Sequence, residues 1–231
     1  MGLYMGLMII SAVFTGIGML VSGQLKSKFK RYSQMPVRSG LSGREIAQKM
    51  LNSYGIYDVQ IVEGQGMLTD HYNPQTKTVS LSPEVYRGRS VAAAAVAAHE
   101  CGHAVQHAES YSMLQFRSAI VPIVQISAQV QQYIWMFAFV MVGALNNPIF
   151  LLVAIAAFGV TALFSVVTLP VEFDASNRAL AWLDSSGIAS GQEYKGAKDA
   201  LWWAAMTYVS AALAAIVQLL YLVMYFMASR D

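Results

Sequence analysis

The chain has 231 residues, 56% hydrophobic and 12% charged, against roughly 25% charged in an average soluble domain. A net charge of +2, with no basic stripe interleaved with aromatics, argues against a nucleic-acid partner. The single cysteine, Cys101, excludes an intrachain disulfide framework and fits a reducing compartment.

The charges are unevenly placed. Residues 1–25, 118–171 and 200–229 contain no Asp, Glu, Lys or Arg. A membrane-crossing helix needs about 20 mostly apolar residues, so these tracts hold one, two and one spans. The first is predicted over 3–22. Its N-terminal side lacks the basic residues of a signal peptide. Lys26, Lys28, Lys30, Arg31 and Arg38 follow it instead, which reads as an uncleaved anchor with its N-terminus outside.

Residues 23–118 form a segment expected on the cytoplasmic side. Ser42 to Glu45 has the form of a capping box opening a helix that ends near Gly55. Residues 58–63 and 77–82 read as strands, with a turn at Asn73-Pro74 between them, so a short β-hairpin is expected. Ser82-Pro83 resembles an N-cap and first helical position. Ser90 can cap the next helix, whose alanine run is a strong helix former. That helix is no span, because only residues 90–98 separate Arg89 from His99.

The same helix carries His99-Glu100-Cys101-Gly102-His103, an H-E-x-x-H sequence. Side chains at i and i+4 lie on one helical face, so both imidazoles can reach one ion. Zinc lowers the pKa of a bound water to about 7, and a carboxylate beside it can take the proton. His99 and His103 are the expected ligands, and Glu100 the expected general base. A catalytic zinc site normally has three protein ligands and one open position. His107 continues the spacing, but eight helical residues place it about 12 Å from His99, so it cannot share the ion.

The tract 118–171 divides at residues 143–148, where Asn-Pro signals a turn. The second span is predicted over 119–142 and the third over 148–169. In the second, Gln125, Gln129 and Gln132 fall on one face; inter-helix hydrogen bonding is the simpler reading, a substrate path the other. The fourth span is predicted over 201–228. Threading four spans puts both termini outside and joins 23–118 with 170–200 on the cytoplasmic side. The third ligand is therefore expected from 170–200, where Glu172, Asp174, Asp184 and Glu193 are the carboxylates. Glu172 is nearest the membrane, and Pro170 is read as breaking the chain just before a helix that Glu172 opens.

Three stretches, 97–107 with its H-E-x-x-H, 169–180 with Glu172, and 68–83, together resemble the YugP-like bacterial membrane zinc metallopeptidases over nearly the whole chain. The resemblance implies a protease without naming a substrate. A more distant likeness is to HtpX-type proteases and CAAX prenyl proteases. These pair a cytosol-facing H-E-x-x-H with a downstream E-x-x-A-D whose Glu is the third zinc ligand. Glu172 to Ala175 matches E-x-x-A, but Ser176 stands where that group has Asp. The role of that Asp is unfilled or moved to Asp174 or Asn177. Site-2-type proteases fit less well, since no Asp occurs in any predicted span.

The expected protein is thus mainly α and polytopic, with about four transmembrane helices and a small cytoplasmic zincin-like α+β part. Its divisions are 1–22 (anchor), 23–118 (zincin-like part), 119–169 (helix pair), 170–200 (third-ligand helix) and 201–231 (last span). The expected activity is peptide-bond hydrolysis with one zinc ion held by His99, His103 and Glu172, with Glu100 moving the proton. Protein or peptide substrates, the lipid bilayer and an oligomeric or regulatory membrane partner are the partners considered. Strand 77–81 is a candidate for pairing with an extended peptide. His71, Tyr72, His107 and Arg178 are candidates for stabilising the oxyanion. The alternatives are a membrane scaffold or chaperone-like adaptor with a structural zinc, and a channel using the glutamine face.

Overall fold

The computed structural model describes residues 2–137 and 148–228. Its elements in order are α1 (Gly2–Ser33), α2 (Gly43–Ser53), β1 (Gln60–Glu63), β2 (His71–Asn73), β3 (Thr78–Leu81), α3 (Pro83–Tyr86), α4 (Val91–Ala108), α5 (Ser112–Phe137), α6 (Pro148–Ser185) and α7 (Gln192–Ala228). The chain divides into two compact units. One comprises residues 1–21, 116–169 and 207–231, the other 22–115 and 170–206.

In the first unit Leu3, Leu7, Leu151, Ala154, Phe158 and Leu222 form a buried apolar cluster. Among the described residues, three helices are long and apolar enough to cross a membrane: Leu3–Ser33, Ile149–Ser185 and Gln192–Ala228. These contain the predicted first and fourth spans and all of the third but its first residue. Among the described residues α5 does not reach that apolarity, and residues 138–142 of the predicted second span lie outside those described. Most of the predicted turn at 143–148 lies outside them too; its last residue, Pro148, begins α6, where a missing N–H is tolerated.

Two expectations in these helices are corrected. Pro170 breaks nothing: it lies within α6, so Glu172 sits inside a continuous helix and does not open one. The ring removes one backbone donor, but burial of Val167 and Val171 on either side keeps the helix packed. Among the described residues of the chain, Gln125, Gln129 and Gln132 are exposed and make no hydrogen bond to another helix, whereas Gln131 does. Its amide donates to the Ala157 carbonyl at 2.9 Å and to the Thr161 hydroxyl at 2.6 Å.

The second unit is built around α4. Ala92 to Ala95, Ala97 and Ala98 are all within 1% of fully buried, and their small side chains let α2 pack close. The capping box on α2 is present: the Ser42 N–H donates to the Glu45 carboxylate, and Ser42 accepts from the Glu45 N–H. Ile46, Ala47, Met50 and Leu51 form its buried face. Gly55, at φ +68°, turns the chain after it in a conformation that other residues rarely adopt. Ser90 caps α4 through the Ala93 N–H.

A three-stranded sheet in the order β1-β3-β2 lies beside these helices. β1 pairs with β3 in parallel, from Gln60 opposite Thr78 to Glu63 opposite Leu81. β2 pairs with β3 antiparallel. The hairpin therefore joins β2 and β3, not the two predicted strands. Three residues of mixed polarity are too short for an alternating pattern to reveal β2, which places His71 to Asn73, the start of the expected turn, in a strand. Strand 77–81 is also corrected as a peptide-binding edge: β3 is central, and both its sides are occupied. Its inward Val79 and Leu81 are fully buried. At the start of α3, Ser82 makes no side-chain cap; its N–H and hydroxyl bond to Asp70 instead.

Candidate metal centre

α4 and α6 bring the site together within the second unit. On α4, Val105, Cys101, Ala98 and Ala94 form a buried stripe on the side that holds Cys101 against α2, and His99 and His103 lie on nearly the opposite face, towards α6. On α6, Glu172, Ala175, Ser176, Ala179 and Leu183 form one buried stripe at helical spacing. Gly102 makes the approach possible. A Cβ at that position would lie 2.6 Å from the Ala175 carbonyl oxygen.

The ligand atoms of His99, His103 and Glu172 all lie within 4.8 Å of one another, and the three residues could hold a metal ion. Glu172 Oε2 is 3.4 Å from His99 Nε2 and 3.6 Å from His103 Nε2. Donors about 2.0–2.1 Å from a tetrahedral zinc are about 3.3 Å apart, so two sides of the triangle already have nearly that length. Two imidazole nitrogens and a carboxylate oxygen are also zinc's preferred kinds of donor. The residues fit the ion.

Hydrogen bonds hold the imidazoles from behind. The buried Gln106 places Oε1 3.0 Å from His103 Nδ1. Its amide nitrogen donates to the Val171 carbonyl at 2.8 Å and to Asp174 at 2.7 Å. Both amide hydrogens are thus directed to α6, which leaves the amide oxygen to accept from His103 Nδ1–H. That sets the tautomer whose Nε2 lone pair faces Glu172. Asp174 is held in turn by Arg178, whose guanidinium also bonds to Glu109. His99 Nδ1 is 3.1 Å from the Ser176 hydroxyl.

Electrostatics follow burial. Burial opposes ionisation of Glu172, but hydrogen bonds and charge from His103 and His99, when these imidazoles are protonated, outweigh it and hold its carboxyl well below the usual range. Glu100 is 8% exposed, and burial pushes its carboxyl above the usual range against the pull of His99 and His103.

The remaining expected residues lie elsewhere. His107 is outside the ligand cluster and accepts from or donates to Tyr72 Oη at 2.7 Å, according to its tautomer. Burial raises the Tyr72 hydroxyl to about 12. His71 Nδ1 is 2.8 Å from the Thr69 carbonyl. Arg178 is engaged by two carboxylates, Asp184 is exposed, and Glu193 accepts from the Arg38 N–H. Cys101 is fully buried, with its thiol directed at the Ala47 carbonyl on α2. Sequence reasoning missed Gln106 altogether. It raised Asp174 and Asn177 as substitutes for the absent Asp; Asn177 is exposed, Asp174 acts on Gln106, and Ser176 itself meets His99.

Comparison with known proteins agrees with this geometry. Residues 7–227 match the family described as "Putative neutral zinc metallopeptidase". The chain is 40% identical to the "Putative membrane protease YugP" of Bacillus subtilis (strain 168), over 94% of both chains. No solved structure matches. With the match spanning almost its whole length, the chain belongs to this zinc metallopeptidase family.

Proposed function

We propose that this chain is an integral-membrane zinc endopeptidase that cleaves protein or peptide substrates at the cytoplasmic face, with one zinc ion per chain. The convergence of His99, His103 and Glu172 beside the buried Glu100 carries the reading. A zinc ion held there would supply Lewis acidity towards a substrate carbonyl and a water. Glu100 holds and returns the proton. Gln106 and Ser176 bond to the Nδ1 atoms, which keeps the two imidazole Nε2 atoms turned towards Glu172, where they would hold the ion. Cys101 faces α2, so the only thiol offers no fourth ligand, and a position stays open for substrate.

Four spans, α5 being the second, place both termini outside and the site in the cytoplasm, in keeping with the basic residues after the first span. β2 replaces β3 as the strand for an extended peptide, because it lies at the sheet edge and packs against α4. The test uses the purified full-length chain. Glu100→Gln should keep its zinc and lose cleavage of casein by about 10²–10⁴-fold. Glu172→Ala should lose zinc, measured by elemental analysis. Equal chelator-sensitive cleavage by wild type and Glu100→Gln would overturn the proposal.

A further inference from the structure

The glutamine face of α5 has no role in the site described above. Gln125, Gln129 and Gln132 are exposed, and among the described residues none of the three makes a hydrogen bond. They continue a longer pattern. Ser118, Pro122, Gln125, Gln129, Gln132 and Met136 are spaced alternately by four and three residues, and all six are exposed. At 100° per residue they fall within an arc of about 80°. This 4-3 alternation is the seam along which two helices pack with a left-handed twist. Gln131 lies about 140° from the centre of the seam, and its amide is bonded to α6.

We propose that this seam is an intramembrane interface with a second copy of the chain, forming a two-fold dimer of parallel α5 helices. The proposal rests on the reading that α5 crosses the membrane. Carboxamides facing lipid have no water to satisfy them, so a helix must cover them. The chemistry of the seam selects the occupant. In a parallel two-fold pair each residue meets its own copy. An Asp or Lys would repel its copy, but a carboxamide both donates and accepts and can bond to itself. The seam has three carboxamides at successive heights and no charge. A passing substrate helix would have to match all three, and would leave them in lipid on departure.

The test is disulfide cross-linking of the full-length chain in native membranes. Cys101 is fully buried and stays silent. Gln125→Cys and Gln129→Cys should give an oxidant-induced dimer at least about tenfold above Ile123→Cys and Ile126→Cys, which are exposed off the seam. Replacing all three glutamines by leucine should weaken co-purification of two differently tagged copies by about tenfold or more. Unchanged co-purification of that variant would overturn the proposal. So would the absence of a seam-specific dimer while Gln129→Cys is shielded from a membrane-impermeant maleimide, or cross-linking to another protein. Labelling of Gln129→Cys by that reagent would overturn it differently, by showing that α5 is not in the membrane.

Discussion

Replacing Gly102 by alanine tests how tightly the spacing of two helices controls the metal site. The added Cβ would sit 2.6 Å from the Ala175 oxygen, about 0.8 Å short of the 3.4 Å where ordinary contact begins. It would also lie 3.1 Å from the Ala175 carbonyl carbon and Cα. All three atoms are backbone of a continuous helix, so no rotamer change relieves the contact. α4 and α6 must separate locally by about that 0.8 Å. His99 and His103 ride on one helix and Glu172 on the other, so the present 3.4 and 3.6 Å separations would grow beyond what one zinc ion can bridge. Overpacking costs about 1–3 kcal/mol, while alanine gains about 1 kcal/mol of helix propensity over glycine. The net change in fold stability should therefore be small and the loss of zinc affinity large, about 10–100-fold by comparison with other displaced ligand supports. Competition with a chromogenic chelator measures the affinity, and thermal unfolding in detergent measures the stability. Wild-type zinc affinity in a folded Gly102→Ala protein would refute the reasoning.

Gln106→Met keeps the side-chain length and removes the carboxamide that joins His103 to Val171 and Asp174. Zinc affinity should fall about 10–100-fold by chelator competition, with stability lowered by about 1–3 kcal/mol for the stranded buried groups; unchanged affinity would remove Gln106 from a positioning role. Asp199 accepts from Lys28 at 2.7 Å and from Tyr32 at 2.6 Å. Burial opposes its ionisation, but these two partners outweigh that and hold its carboxyl below the ordinary 3.8. Its contribution is therefore complete above pH 3.8 and is lost as the pH falls through the lower folded value. Asp199→Asn should lower stability at pH 7 by about 1 kcal/mol, a figure discounted because both charged side chains are about a quarter exposed or more. The difference from wild type should shrink in denaturant titrations near pH 3, and a difference independent of pH would contradict the assignment.

The parts of the fold legible in the sequence are those governed by neighbours along the chain. Charge-free tracts mark the apolar helices, Ser42 with Glu45 marks the start of α2, and Ser90 marks the start of α4, because caps and hydropathy act over one or two turns. β2 was missed because three residues carry no period. Pro170 was read as a break because local rules treat proline as a terminator, whereas packing on both sides carries α6 through it. The glutamine face was placed on one side of a helix correctly, but which side meets α6 depends on the rotation of α5, and no local pattern determines that.

For the site, H-E-x-x-H alone specifies two imidazoles and a carboxylate on one helix, since spacing of four residues is itself a statement of geometry. It also rules out His107, by the rise of the helix. The tertiary structure decided everything that depends on α6 lying against α4. It brings Glu172 within 3.6 Å of His103 across 69 positions of sequence. It makes Gly102 a spacer, lets Ser176 meet His99, and gives Gln106 the Val171 carbonyl and Asp174 as acceptors that fix the tautomer of His103. These are distances between separate helices, and they follow from packing, which a single stretch of sequence does not contain.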